Sequence, residues 1–284
     1  MTVNSHNHFP TTLVIGASGK TGRRVVQRLE AAGRQVKAAS RSSAVRFEWT
    51  DRDTWRPALE GAQAAYITFY PDLAFPGAAD VVGDFARLAV SQGVKRLVLL
   101  SGRGEEGARQ AEIQVEQSGV DWTLVRCAFF NQNFSETFGE PVRHGVLAMP
   151  GGDTKEPFLD ADDIADVVFA ALTDDRHIGK LYELTGPRLL TLAEAAAELS
   201  EAIGRPVRYI PMSAEDYAGS LMDHGMPAAV AEPLSQLITE VLDGRNSYLT
   251  DGVQQALGRA PKDFADYARE TALAGAWQLE AKAS

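Results

Sequence analysis

A short glycine-containing turn near the start of the chain constrains its fold more than any other segment. In LVIGASGKTG, residues 13–22, an apolar run precedes glycines spaced G-x-x-G-x-x-G, and an amphipathic helical pattern follows. In such a strand–turn–helix, Gly16 permits the turn, Gly19 lets backbone N–H groups approach a pyrophosphate, and Gly22 lets the helix lie close to the strand. The helix N-terminus adds partial positive charge. The segment predicts a dinucleotide-binding turn, and a structural turn without a ligand is the alternative.

The letters GKT at the end of this segment also resemble the nucleoside-triphosphate loop, G-x-x-x-x-G-K-[ST]. That pattern needs a glycine five residues before Gly19, where this chain has Val14. Because one of the two backbone hinges is missing, the segment favours a dinucleotide over a nucleoside triphosphate. We expect the cofactor to contact the residues of the turn: Gly16, Ser18, Gly19, Lys20, Thr21 and Gly22.

A positively charged residue follows the second predicted strand. Arg41 lies 19 residues beyond Gly22, between Ser40 and Ser42, and no acidic residue occurs at positions 35–44. A site for NAD places an acidic residue near this position to bind the ribose 2′-hydroxyl, whereas Arg accommodates the 2′-phosphate of NADP. The planar fork of guanidinium donors suits a phosphate. The sequence therefore predicts a preference for NADP(H), and a solvated charge at the strand end is the alternative.

Short β-rich runs alternate with amphipathic helical patterns through the first half of the chain. This alternation implies right-handed crossovers and a parallel sheet covered on both faces. A stretch rich in Gly and Pro at 139–157 predicts a hairpin or lid leaving the sheet. The predicted fold class is α/β, a doubly wound, Rossmann-like parallel sheet with a smaller, mostly helical C-terminal substrate subdomain. Its divisions are a disordered lead-in at 1–10, a dinucleotide-binding domain at 11–155, and a part at 156–284 that completes the sheet and covers the substrate pocket.

Capping residues help to delimit the elements of the second half. The patterns there predict helices at 161–173 and 191–203, strands at 180–185 and 207–211, and several further helices, one of them at 227–243. Asp160 or Asp162 and Thr191 are natural N-caps, and Gly204 stands where a C-cap would.

The composition excludes several classes of function. A net charge of −10 disfavours the large phosphate-neutralising surface that nucleic-acid binding needs. No stretch approaches the roughly 18 apolar residues of a membrane span, and the first dozen residues do not resemble a signal peptide. The single cysteine, Cys127, excludes an intrachain disulfide. We expect a cytoplasmic protein without a metal site, since His6 and His8 lie on a terminal segment.

Several segments together resemble one family. Their order and spacing are similar to those of the atypical short-chain dehydrogenase/reductases called NmrA-like, above all to the branch of the ergot-alkaloid iminium reductases, agroclavine and festuclavine dehydrogenase. The resemblance covers about residues 11–275 and implies a Rossmann-type fold, a nicotinamide cofactor and a small-molecule substrate. The segments are LVIGASGKTG, SGRGEE at 101–106, VEQSGVDWTLVR at 115–126, FFNQNFSE at 129–136, PFLDADDIADV at 157–167, YELTGP at 182–187 and the tail ALGRAPKDFADYARET.

The catalytic residues of the short-chain superfamily are missing at the corresponding positions. These enzymes usually have a strand-end Ser and a Tyr-x-x-x-Lys, whose Tyr donates a proton to the carbonyl oxygen as hydride reaches carbon. Ser101 fills the serine position. If Glu116 is the family's glutamate before the SG turn, Ala108 is at the Tyr position and Glu112 at the Lys position, and no tyrosine is followed by Lys four residues later. Catalysis stays unassigned, with Ser101, Glu112 and Tyr70 as candidates.

The absence of this dyad restricts the acceptor. Reduction of a ketone puts charge on an alkoxide, which needs a donor. An iminium ion is already cationic, and the charge formed on a quinone or a conjugated C=C is delocalised. The chain is therefore expected to transfer hydride to an activated acceptor of one of these kinds, mainly by orienting the reactants and excluding water.

Further contacts are expected after the predicted strands. ITFYPD at 67–72 follows a buried strand, and we expect Thr68 and Phe69 to contact the cofactor, as do Ser101 and Gly102. Phe69 and the neighbouring aromatic residue pack on nicotinamide or substrate in this interpretation, and core or rim positions are the alternative.

The predicted substrate pocket consists of Tyr70, Phe129, Phe130 and Asn131. The last three follow DWTLVR, where relatives place a loop over the nicotinamide. Cys127 stands where the family usually has Pro, and we interpret it as a small buried group.

Two acidic residues could have either a catalytic or a structural role. We interpret Asp160 as an N-cap rather than a catalytic acid. For Glu112, a solvated charge on a helix face is favoured over a proton relay or a counter-charge for a cationic substrate.

Two functions from different classes are favoured at this point, and the sequence also leaves open a third, a reaction that uses no external cofactor. One is an NADPH-dependent reductase of a small activated acceptor, in specialised metabolism. The other is a non-catalytic redox sensor of the NmrA type that binds the dinucleotide and reports through a protein partner. A homo-oligomer is compatible with both.

Overall fold

The computed structural model describes residues 10–279. The predicted lead-in at 1–10 therefore lies outside the described residues except for Pro10, and so do His6 and His8. By internal contacts the chain divides into two units. Among the described residues, the first unit contains 10–101, Gly107–Val125 and Ala165–Leu181, and the second contains Gly102–Glu106, Arg126–Ile164 and 182–279.

The strands form one large sheet and two small ones. The large sheet has the order β3-β2-β1-β4-β5-β6-β9, and β1 pairs in parallel with β2 and β4, β2 with β3, and β4 with β5. From β1 the sheet extends through β2 and β3 on one side and through β4, β5 and β6 on the other, so the strand order reverses between β1 and β4, as in a doubly wound sheet. The predicted fold class is therefore confirmed. The strands are β1 Thr12–Ile15, β2 Val36–Ser40, β3 Val45–Arg46, β4 Ala64–Ile67, β5 Arg96–Gly102, β6 Asp121–Cys127, β7 Val146–Met149, β8 Lys155–Glu156, β9 Lys180–Leu184, β10 Leu190–Thr191 and β11 Arg208–Pro211.

The helices predicted at 161–173, 191–203 and 227–243 are present to within two residues at each end, whereas the helices at 55–59 and 139–143 were not predicted. The helices of the described residues are α1 Gly22–Ala31, α2 Trp55–Leu59, α3 Ala78–Ser91, α4 Glu106–Glu116, α5 Gly139–Arg143, α6 Ala161–Thr173, α7 Leu192–Ile203, α8 Ala214–Asp223, α9 Ala228–Val241, α10 Gly252–Leu257 and α11 Phe264–Leu273. Within 10–279 no helix is both long and apolar enough to cross a membrane.

The core of the first unit lies between the sheet and its helices. β1 and β4 are buried along their whole length, as expected for parallel strands covered on both faces. On one side an aromatic cluster fills the space between β3, α2 and α3. Its members are Phe47, Trp49, Trp55 and Phe85, with ring centroids 4.9 to 6.5 Å apart.

The core of the second unit is also aromatic. Phe134 packs edge-on against Phe158 and Phe264 at 5.2 Å, and the Trp277 indole N–H donates to the Phe134 carbonyl oxygen at 3.0 Å. Phe134 therefore connects the chain after β6 to α11 and the segment that follows it.

The segment 139–157 does not form the predicted hairpin. Its two strands do not pair with each other, because β7 pairs in parallel with β11 and β8 pairs antiparallel with β10. The Gly and Pro residues were a correct sign of interrupted structure, but the partners lie more than thirty residues further along the chain. Pairing of this long-range kind leaves no mark on local turn chemistry.

The caps explain where two helices begin. Thr191 accepts from the Glu194 N–H at 3.1 Å, and the Glu194 carboxylate accepts from the Thr191 N–H at 2.7 Å, which is a capping box. Asp160 accepts from the Asp162 N–H at 2.8 Å, so Asp160 and not Asp162 caps α6. Gly204 ends α7 with a φ of 76°. The predicted caps are confirmed.

Candidate functional site

The glycine turn after β1 is fixed by two of its three glycines. Gly16 has a φ of 71°, and a Cβ on it would lie 2.2 Å from the Thr68 hydroxyl oxygen. A Cβ on Gly22 would lie 2.1 Å from the Gly16 carbonyl oxygen, which is backbone and cannot move aside. Gly19 is exposed, and a Cβ on it would meet only the Gly16 carbonyl oxygen, at 3.1 Å. A Cβ on Gly19 would therefore be tight against this backbone oxygen, but less obstructed than one on Gly16 or Gly22.

The end of β4 anchors this turn from the neighbouring strand. The Thr68 hydroxyl donates to the Ile15 carbonyl oxygen at 3.1 Å, and the buried Tyr66 hydroxyl donates to the Thr21 hydroxyl at 3.0 Å. β1 and β4 are the strands between which the sheet reverses, and ligands bind beyond the carboxyl ends of the strands at such a point. The first turn of α1 contains no acidic residue, so no carboxylate there opposes a bound anion. Ser18 is exposed and Lys20 half-buried.

The end of β2 presents a preformed serine turn. The Ser40 hydroxyl oxygen accepts from the N–H groups of Ser42 at 3.3 Å and Ser43 at 3.1 Å, and it lies 2.6 Å from the Ser43 hydroxyl. These bonds hold the backbone on both sides of Arg41, whose side chain is 65% exposed. The turn therefore projects the guanidinium from a fixed base.

Arg41 contacts two groups that sequence reasoning did not connect with it. Its guanidinium carbon lies 4.7 Å from the centroid of the Tyr70 ring, and its Nε is 4.0 Å from a carboxylate oxygen of Glu48. Glu48 lies just beyond the acid-free interval around Arg41 that the sequence analysis defined. Nothing in the spacing signalled its approach, because it depends on the short β3 turning back beside β2.

The two aromatic residues after β4 occupy different environments. Phe69 is half-buried and packs 5.0 Å from the Trp49 ring, so it belongs to the edge of the aromatic cluster. Tyr70 is 63% exposed. The Trp49 indole N–H donates to the Thr68 carbonyl oxygen at 3.0 Å, which fixes the chain just before these two residues.

Ser101 and Glu112 form a buried pair at the end of β5. The Ser101 hydroxyl donates to Glu112 at 2.7 Å, and Arg109 donates to the other Glu112 oxygen at 3.0 Å. Glu112 is fully buried, so its interpretation as a solvated helix-face charge is wrong. Ala108, at the position of the superfamily tyrosine, is buried on the same helix. The sequence predicted that Glu112 lies on a helix, but it did not predict that this side of the helix is buried.

In the second unit, the predicted pocket residues Phe129, Phe130 and Asn131 run alongside Leu159. Phe130 forms a parallel bridge with Leu159, the Asn131 N–H donates to the Leu159 carbonyl oxygen at 2.8 Å, and Phe129 packs against Phe158. Asn131 is fully buried, and neither atom of its side-chain amide has a hydrogen-bond partner.

A buried carboxyl that the sequence did not single out lies beside this segment. Glu156 accepts from the Phe129 N–H at 3.1 Å through one oxygen, and its other oxygen has no partner. Burial raises the pKa of Glu156 to about 7, although the Phe129 N–H and the charge of Arg103 act in the opposite direction. In the sequence it stands between Lys155 and Pro157, where a glutamate is indistinguishable from a solvated loop residue.

The surroundings of the remaining predicted residues of the second unit indicate structural rather than catalytic roles. Cys127 is buried, and burial raises the pKa of its thiol well above the usual value, which agrees with a small buried group rather than a nucleophile. Burial raises the pKa of Asp160 despite its cap hydrogen bond. Gly102 lies against Glu105. No cluster suited to a metal ion occurs among the residues that the structure describes.

A doubly wound parallel sheet with a glycine turn at the point of strand-order reversal defines a nucleotide-binding protein of the Rossmann type. The chain belongs to the NmrA-like family, whose model matches residues 108–268. A second model, described as NAD(P)H-binding, matches residues 16–175.

Relatives match over nearly the whole chain. The chain is 32% identical over 286 residues to the NAD(P)H azoreductase of Xenophilus azovorans, covering 92% of this chain and 98% of that protein. It is 31% identical over 278 residues to agroclavine dehydrogenase of Claviceps fusiformis, covering 90% and 96%. The predicted family resemblance is confirmed.

Solved structures show the same fold at lower identity. An NADPH-dependent quinone oxidoreductase of Escherichia coli, complexed with NADPH, has a TM-score of 0.72 and 22% identity, covering 91% of this chain and 99% of that one. NmrA, a negative transcriptional regulator in complex with NAD, has a TM-score of 0.72 and 19% identity, covering 96% and 100%.

Proposed function

We propose that this protein is an NADPH-dependent reductase that transfers hydride to a small activated acceptor, namely an iminium ion, a quinone or a conjugated C=C bond. The NAD(P)H-binding family model supports the cofactor class. The names of the azoreductase and agroclavine dehydrogenase relatives support reduction of small molecules. The acceptor class follows from the residues at the end of β5.

The glycine turn and the serine turn fit NADPH. The exposed backbone at Ser18 and Gly19, next to an α1 terminus without acidic residues, suits the pyrophosphate. Arg41 suits a 2′-phosphate, because its N–H donors project from a base that the Ser40 hydroxyl holds. When bound, NADPH would supply the hydride. Thr68, Phe69, Ser101 and Gly102 complete the proposed cofactor contacts.

The observation that carries the acceptor class is the buried Ser101–Glu112 hydrogen bond. Ser101 already donates its hydroxyl hydrogen to Glu112, and Ala108 has no proton to give. A ketone would therefore lack both donors that the short-chain superfamily usually provides for its developing alkoxide, and one missing donor costs about a hundredfold in rate. A cationic substrate such as an iminium ion needs no such donor, and the remaining lone pairs of the Ser101 oxygen can face its positive charge. Glu112 adds negative charge that Arg109 offsets only in part, since Arg109 is shared with Glu116.

The first test of this proposal is nucleotide binding followed by tryptophan fluorescence. Trp49 reports on the region, because it contacts the Thr68 carbonyl oxygen and the Phe69 ring. We expect NADPH to bind more tightly than NADH, and the Arg41→Ala variant to weaken NADPH binding about tenfold or more, a loss of about 1.4 kcal/mol. Equal affinity of the wild type for both nucleotides would contradict the NADPH assignment.

The second test compares acceptors of one shape. NADPH oxidation is measured with N-methyl-dihydroisoquinolinium, with the similarly sized ketone tetralone, and with a naphthoquinone. We expect the iminium and the quinone to exceed the ketone by about a hundredfold in kcat/KM. Glu112→Gln keeps an acceptor for Ser101 but removes the charge, so it should lower the iminium rate more than the quinone rate. Nucleotide binding without turnover of any acceptor would instead identify a sensor.

A further inference from the structure

We propose that Tyr70 is a specificity-determining residue that positions Arg41 for the 2′-phosphate of NADPH. This inference rests on the proposed cofactor. The sequence analysis placed Tyr70 in the substrate pocket, whereas its ring lies against the guanidinium of Arg41, 4.7 Å from centroid to carbon. A guanidinium over an aromatic face is attracted by the negative charge of that face.

The geometry leaves Arg41 available for an anion. An aromatic face attracts a guanidinium through the negative charge of its π-electrons, so the contact needs none of the N–H donors. The carboxylate of Glu48 is 4.0 Å from Nε, which is beyond hydrogen-bond distance. The ring of Tyr70 therefore holds the cation without using its donors, and a phosphate can accept from two of them at once.

Both partners are held by their backbones. On the side of Arg41, the Ser40 hydroxyl accepts from the N–H groups of Ser42 and Ser43. On the side of Tyr70, the Thr68 carbonyl accepts from Trp49, and Phe69 packs on the same indole. Two exposed side chains thus meet because their anchors are fixed, so the pair limits the rotamers of Arg41 before any nucleotide binds.

Glu48 makes this restraint necessary. An arginine free to rotate would be drawn to the Glu48 carboxylate, which already lies 4.0 Å from the Arg41 Nε. A bidentate pair with Glu48 would consume the donors that the phosphate needs. With the ring removed, Arg41 loses the contact that competes with Glu48. The expected result is weaker NADPH binding with little change for NADH, which has no 2′-phosphate.

A graded series at position 70 tests the inference. We measure Kd for NADPH and NADH by Trp49 fluorescence with wild type, Tyr70→Phe and Tyr70→Leu. Tyr70→Leu should reduce the preference for NADPH about two- to fivefold, and Tyr70→Phe should retain most of it because the ring remains. In the Tyr70→Leu background, Glu48→Gln should restore part of the lost preference, because the competing charge is gone.

NADH serves as an internal control for folding, since a misfolded variant would lose both nucleotides. An unchanged NADPH to NADH ratio in Tyr70→Leu, with the wild type still preferring NADPH, would overturn the role of Tyr70 and leave the proposed function standing. A ratio that falls equally in the Phe and Leu variants would also overturn it, because the hydroxyl and not the ring would then be responsible. A wild type without preference would overturn both proposals together.

Discussion

At the scale of single residues, Glu156 makes the clearest prediction about pH. Its pKa is about 7 in the folded chain and 4.5 when free. A carboxyl with a raised pKa binds its proton more tightly in the folded state, so it favours folding most below pH 4.5. That contribution is lost as pH rises through 7, by about 3 kcal/mol in all.

Glu156→Gln tests this directly, because the amide keeps the shape and an acceptor for the Phe129 N–H but does not titrate. The free energy of unfolding is measured with urea at pH 5 and pH 8 for both proteins. We expect the variant to gain stability relative to the wild type at pH 8 and to match it near pH 5. Taking the difference between the two proteins removes other groups, including Asp160, whose pKa is also raised by burial. A difference that is the same at both pH values would contradict the prediction.

At the scale of elements, the stability of α7 should depend on the N-cap residue Thr191, which the sequence analysis predicted and which forms a capping box. Thr191→Ala removes the acceptor for the Glu194 N–H, so it should lower the free energy of unfolding by about 1 kcal/mol. Thr191→Ser keeps the hydroxyl and should lose little. Urea denaturation of the three proteins provides the measurement, and an alanine variant as stable as the serine variant would contradict it.

Among the secondary-structure elements, the sequence predicted the positions of helices well and the pairing of strands poorly. Amphipathic periods and caps located α6, α7 and α9 because those signals are local. The partners of β7 and β8 were missed because long-range pairing leaves no local signal. The same distinction applies to the site. The spacing of Gly16, Gly19 and Gly22 is a local pattern that the sequence shows directly. The burial of Glu112 and Glu156 depends on distant residues that pack over them, so the sequence did not predict it.

At the scale of the whole molecule, nucleotide binding should appear as thermal stability. A ligand at a hundredfold excess over its Kd stabilises the folded state by about 2.7 kcal/mol. We expect NADPH to raise Tm in the wild type. Gly19→Ala places a Cβ 3.1 Å from the Gly16 carbonyl oxygen, so the Tm of this variant without nucleotide serves as its own baseline. The rise caused by NADPH should be smaller than in the wild type if the phosphates lie against this backbone.

Gly219→Ala is the matched control for that experiment. Gly219 lies inside α8, and a Cβ there meets nothing within 4 Å, so the rise in Tm with NADPH should be that of the wild type. An undiminished rise in Gly19→Ala would mean that the nucleotide does not approach the turn at this residue.

The return of the chain to the first unit limits how the protein can be divided. After Val125 the chain enters the second unit and comes back with Ala165–Leu181, which supplies most of α6 and the start of the sheet strand β9. Asp166 and Asp175 in that returning segment pair with Arg28 and Arg96. A fragment ending before Ala165 would leave β6 as an uncovered sheet edge, open to pairing with another chain. The first unit is therefore not a contiguous stretch of the sequence, and no single fragment ending before Ala165 contains all of it.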